Sequence, residues 1–161
     1  MNAVRRFTLP LVLSIVFAVP TAAYADAGQV FVNSNELKWM DAPPSVPKGA
    51  KLAVLYGDPG KPGPFVARLM MPAGYKIAPH WHSQTENLTI ISGAFYLGEG
   101  DKMETAHAHL LKAGGYHYLP AKAHHYAFTK AATVVQINGE GPFDINYVNE
   151  KDDPQKMAAK K

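Results

Sequence analysis

Three side chains of metal-binding type stand close together in the stretch GYKIAPHWHSQTENLTIISG, from Gly74 to Gly93. His80 and His82 are two residues apart, so on an extended strand both leave the same face. Glu86 has the same parity and meets them where the chain turns at Ser83, Gln84 and Thr85. Neutral imidazoles and a carboxylate form a mixed nitrogen and oxygen donor set, suited to one divalent transition ion such as Fe, Mn, Zn, Ni or Cu. Downstream, GGYHYLPAKAHHYAF from Gly114 to Phe128 offers a further imidazole in the adjacent pair His124 and His125. Neighbouring strand residues point to opposite faces, so parity admits only one of the pair to a shared site.

The first stretch fits G-x5-H-x-H-x3-E-x6-G at every position and resembles the first signature of the cupin family. Gly114, Pro120 and His125 fall on the second cupin signature, G-x5-P-x-G-x2-H-x3-N; Lys122 stands where glycine is usual and Thr129 where asparagine is usual. The resemblance extends to Tyr56-Gly57-Asp58-Pro59 before these stretches and to Gly141-Pro142-Phe143 and Tyr147-Val148-Asn149 after them. It implies an all-β fold, a double-stranded β-helix or jelly-roll barrel in a single domain, usually a homodimer. It implies one metal held by His80, His82, Glu86 and His125, with His125 favoured over His124 by the register of Pro120. It also gives Glu86 a catalytic part, since in some similar cupins this carboxylate leaves the metal or accepts a proton during turnover. Cupins include dioxygenases, oxalate oxidases and decarboxylases, isomerases, lyases, sugar epimerases and seed storage proteins, so the resemblance fixes a site and not a reaction.

The elements that must position these residues read as short strands. Candidates are 29–33, 51–56, 65–71, 76–80, 86–91, 94–97, 107–111, 116–119, 125–129, 133–138 and 143–148, separated by turn-rich breaks such as Gly57-Asp58-Pro59-Gly60 and Gly139-Glu140-Gly141-Pro142. Many short strands at regular spacing indicate a sandwich or barrel. No window sustains a helical apolar period, apart from a turn near Asn35–Met40. A proline-rich segment around Val46 and Pro47 is expected to wrap the barrel, and a polar tail from Asp152 is expected to fray. The first signature is expected on neighbouring strands of one sheet, with the second returning on an adjacent strand after an excursion from Gly98 to Leu111.

Other residues invite a role. Arg68, the only arginine after Arg6, lies in the apolar run Phe65–Met71. Facing the barrel cavity, its guanidinium would clamp an anionic substrate; facing out, it would form a surface or structural pair. Gln136 interrupts the run Val134–Ile137 and is a candidate hydrogen-bond partner for substrate or ligand, or for a neighbouring strand. His107, His109 and His117 have no carboxylate at a useful spacing and read as strand-face histidines, while Tyr116, Tyr118, Tyr126 and Phe128 read as barrel wall.

Composition sets the remaining bounds. Arg5-Arg6, the apolar stretch Phe7–Val19 and Ala23-Tyr24-Ala25 read as a cleaved signal peptide over residues 1–25, leaving a domain over 26–161 in the periplasm or secreted, with no membrane span after processing. Loss of Arg5 and Arg6 leaves fourteen basic against thirteen acidic residues. No basic stripe remains to bind nucleic acid. The chain has no cysteine, which excludes disulfides, thiolate ligands and cysteine nucleophiles. The expected function is a metalloenzyme acting on a small organic molecule, such as a carboxylate or enolate, with dioxygenase-type chemistry favoured. A non-catalytic module binding a small ligand or metal, or a metal-stabilised structural cupin, would use the same residues.

Overall fold

The computed structural model describes residues 28–158, which contain eleven strands. These are β1 (Met40–Asp41), β2 (Lys51–Tyr56), β3 (Gly63–Met71), β4 (Lys76–Trp81), β5 (Glu86–Ser92), β6 (Ala94–Glu99), β7 (His109–Lys112), β8 (Tyr116–Leu119), β9 (His125–Thr129), β10 (Thr133–Gly141) and β11 (Asn146–Tyr147). They form two antiparallel sheets in the jelly-roll arrangement. One has the order β1-β2-β3-β10-β5-β8 and the other β11-β4-β9-β6-β7. Alternation along each strand sends one set of side chains between the sheets. In β3 these are Phe65, Ala67, Leu69 and Met71, all buried, against half-buried Val66, Arg68 and Met70 on the other side. Leu69, Ile90, Phe95, Leu97 and Val135 from both sheets meet in one core.

Several expectations are corrected here. Residues 29–33 form no strand, and the 143–148 run contracts to Asn146–Tyr147. The tail does not simply fray: Asn149 caps a 3-10 turn at Glu150–Asp152, followed by a short helix, α1 (Pro154–Ala158). The histidine-glutamate signature divides between the sheets, because the turn after β4 carries the chain across the sandwich to β5. The expected leader, residues 1–25, lies outside the described residues. Among the described residues, no helix is long and apolar enough to cross a membrane.

The aromatic residues expected to wall the barrel instead face outward. Tyr116 and Tyr118 are exposed on β8. Phe128 stacks on Tyr96 outside the second sheet, with ring centroids 4.7 Å apart. Tyr126 is buried on that same outer face, its hydroxyl donating to the Glu104 carbonyl at 2.7 Å. The excursion after β6 therefore folds back over Tyr126, and Gly98 makes room for the ring: a Cβ there would lie 2.1 Å from its Cζ.

The candidate metal centre

His80 and His82 come to the site through an irregularity in β4. Ile77 pairs with Ala127 and His80 with His125, so Ala78 and Pro79 together oppose Tyr126 alone. Proline cannot donate to a sheet ladder and is accommodated at bulges, which re-aim the side chains that follow. The shift turns His80 inward although it is three residues beyond inward-facing Ile77, and His82 follows with the same parity. His125, the first residue of β9, lies beside His80 with ring centroids 4.0 Å apart. Glu86 reaches across from β5, its Oε2 3.8 Å from His82 Nε2 and 4.0 Å from His125 Nε2.

Each imidazole has one nitrogen already engaged. His80 Nδ1 lies 2.7 Å from the Ala78 carbonyl, His82 Nδ1 2.5 Å from that of Asp144, and His125 Nδ1 3.0 Å from that of Ala123. A carbonyl only accepts, so each Nδ1 carries the proton and each Nε2 is left with a lone pair. This is the outer-shell arrangement that orients histidine ligands. One ligand atom from each of the three rings lies within 4.8 Å of the others. The rings are also neutral: burial first, then the proximity of His125 and His82, holds His80 well below the usual imidazole range. Burial likewise lowers His82 and His125, and it pushes the Glu86 carboxyl up against the opposing pull of His125. The buried His80, His82 and His125 group can bind a metal ion, and Glu86 supplies an adjacent oxygen donor.

Residues around the triad hold it in place. Phe143 stacks on the His82 ring at 4.5 Å. Asp144 accepts hydrogen bonds from the Ser83 amide at 2.7 Å, the Ser83 hydroxyl at 2.6 Å and Asn146 Nδ2 at 2.7 Å. The segment before β11 is thereby clamped to the turn after His82. Sequence reasoning gave Asp144 no role; its one cue was its place beside Gly141-Pro142-Phe143. In the second stretch, Lys122 adopts φ 65°, and its amide donates to the His82 carbonyl at 2.8 Å. Thr129, in the place of the usual asparagine, donates from Oγ1 to the Pro72 carbonyl and accepts from the Tyr75 amide, closing the turn ahead of β4.

The cavity next to the triad has a volume of about 120 Å³. Its far wall is apolar, built from Leu69, Phe95, Leu97, Ala127, Val135 and Ile137, and Pro43, Ser45 and Val46 from the leading segment also line it. Arg68 and Gln136 do not line it, which corrects their candidacy as substrate contacts. They are register partners on the outward parity of β3 and β10, and Arg68 Nε donates to Gln136 Oε1 at 3.1 Å. His124 also lies apart, its Nδ1 2.5 Å from Asp101 Oδ1. His107 pairs with Glu104 at 2.8 Å, and neither His109 nor His117 joins the triad.

A family model described as "Domain of unknown function (DUF4437)" matches residues 20–146. No curated protein matches the chain. Among solved structures, the polyketide cyclase RemF from Streptomyces resistomycificus aligns with a TM-score of 0.67 at 14% identity, over 82% of this chain and 94% of that one. A candidate acetylacetone dioxygenase from Methylibium petroleiphilum PM1 aligns at 0.61 and 21% identity, over 81% and 88%. An RmlC-like cupin from Shewanella frigidimarina aligns at 0.54 and 14% identity, over 70% and 91%. These likenesses show the cupin fold, while chemistry has to be argued from the site.

Proposed function

The chain belongs to the DUF4437 family, and we propose that this member is a metal-dependent enzyme that transforms a small organic molecule, with dioxygenase-type chemistry favoured. One observation carries the reading: three Nε2 lone pairs converge beside an apolar cavity, with a carboxylate at their edge. His80, His82, His125 and Glu86 would hold the ion. A divalent ion held there would supply Lewis acidity to an oxygen of the substrate. The chain's own residues do the rest. The carbonyls of Ala78, Asp144 and Ala123 keep the imidazoles oriented, and the apolar wall excludes water. Glu86 would hold the ion and, on leaving it during turnover, would offer a carboxylate oxygen to accept a proton from the substrate. The candidate dioxygenase among the structural neighbours supports the oxygen-using form of this reading.

The test loads the protein separately with Fe²⁺, Mn²⁺, Ni²⁺, Cu²⁺ and Zn²⁺ and follows oxygen uptake with small ketones, enols and monocarboxylates. At least one metal form is expected to turn over. Glu86→Gln is expected to lower that rate by about 100-fold or more, within the range of general base catalysis. Release of every bound compound unchanged would instead make this a capture module.

A further inference from the structure

The cavity wall bears on which molecules enter it. Among the described residues lining the cavity there is no lysine or arginine. The titratable side chains lining it are the three histidines, Glu86 and Asp144, and Ser45 of the leading segment is the one other polar residue there. Beyond them the surface is hydrocarbon and aromatic carbon, from Leu69, Ile77, Leu88, Phe95, Leu97 and Val135. Arg68, the one arginine among the described residues, is held outside by Gln136.

Charge counting sharpens this. Three neutral imidazoles, one carboxylate and a divalent ion sum to a single positive charge, which one anionic oxygen head neutralises. A second negative charge on the same molecule would lie among apolar side chains with no cation facing it, and an unpaired buried charge is strongly disfavoured. Asp144 at the head end adds a further negative group, already satisfied by Ser83 and Asn146. Hydroxyl groups along the ligand body would find few partners on the apolar wall.

Resting on the metal reading above, we propose that the site takes molecules with one oxygen head of at most a single negative charge on an apolar body, and excludes dianions and polyols. The apolar wall is thus the specificity element, and the metal end the common anchor.

The test uses the full chain loaded with Co²⁺, whose visible absorption changes with its ligands, titrated with acetate, propanoate, butanoate, pentanoate and glutarate. Affinity is expected to rise by about three- to fourfold for each added methylene from acetate onward. Glutarate, with the same carbon count as pentanoate and one more carboxylate, is expected to bind at least about tenfold more weakly than pentanoate. Ala127→Val, which narrows the cavity wall, is expected to stop the rise at a shorter chain; should that variant not fold, the native series still decides. Equal affinity across the monocarboxylates, glutarate binding as tightly as pentanoate, or no spectral response to any of them would overturn the proposal while leaving metal binding intact. Failure to take up Co²⁺ at all would overturn the metal reading and this one with it.

Discussion

Lys122 is the only non-glycine residue with positive φ among the described residues, at 65° in the turn ahead of His125. An L-residue in this region costs about 1–2 kcal/mol from the approach of its Cβ to the backbone, and glycine escapes that cost. The conformation persists because the turn is held from both sides: the Lys122 amide donates to the His82 carbonyl and the Ala123 amide to that of Pro120. Lys122→Gly is therefore expected to stabilise the protein by about 1 kcal/mol, read as a higher Tm in thermal unfolding with the metal content unchanged. A lower Tm would show that the lysine side chain contributes more than its backbone strain costs. At this scale the spacing of His80, His82, Glu86 and His125 was legible, because metal ligation demands particular residue types at particular intervals. Arg68 was not legible in the same way: a charged residue in an apolar strand reads alike on either face, and only the parity set by Phe65, Ala67 and Leu69 places it outside.

Between the residues and the barrel stands the segment from Ala42 to Ala50. Its prolines exclude regular structure, yet buried Tyr75 and half-buried Tyr147 fasten it. Tyr147 donates to the Ser45 carbonyl at 2.9 Å and Tyr75 donates to that of Pro47. Burial pushes the Tyr75 hydroxyl up to about 12 and Tyr147 higher still, so both remain donors at any physiological pH. Pro43, Ser45 and Val46 line the cavity, and Tyr147 is the register partner of His80, so the strap over the cavity is tied to the strand that bears the ligands. Tyr147→Phe removes one hydrogen bond and leaves the ring, for an expected loss of about 0.5–1.5 kcal/mol. The same variant is expected to speed amide hydrogen exchange within 44–50 more than in β5 or β10. Exchange unchanged in the strap would mean that its proline backbone and Tyr75 hold it without this bond. Most strands were legible from alternation and turn residues, since β3, β5 and β10 each combine apolar periodicity with a glycine or proline nearby. The bulge at Ala78–Pro79 was not, because a register shift depends on which strand lies alongside. For the same reason the division of the signature between two sheets, and the outward placing of Tyr126 beneath the loop after β6, became visible only in three dimensions.

In the whole molecule, two sheets share one core, and the ligand-bearing ends of β4, β5 and β9 meet at one side of it. The buried histidines depend on that meeting. His80, His82, Glu86 and His125 are 3%, 7%, 5% and 2% exposed, so an ion held by them is shielded by the fold itself. The jelly roll was legible from strand spacing and the two signatures together. The substrate was not, because the cavity wall is drawn from seven strands far apart in the chain. The central claim is that these four residues form one metal site, and metal content measures it directly. Native protein, His125→Ala and His124→Ala are purified in parallel and assayed for divalent transition metals by elemental analysis. The expected result is about one ion per chain in the native protein and in His124→Ala, with sharply reduced content in His125→Ala, whose fold is checked by circular dichroism. Full occupancy in a folded His125→Ala protein, or a native protein that takes up no transition ion when one is supplied, would contradict the account.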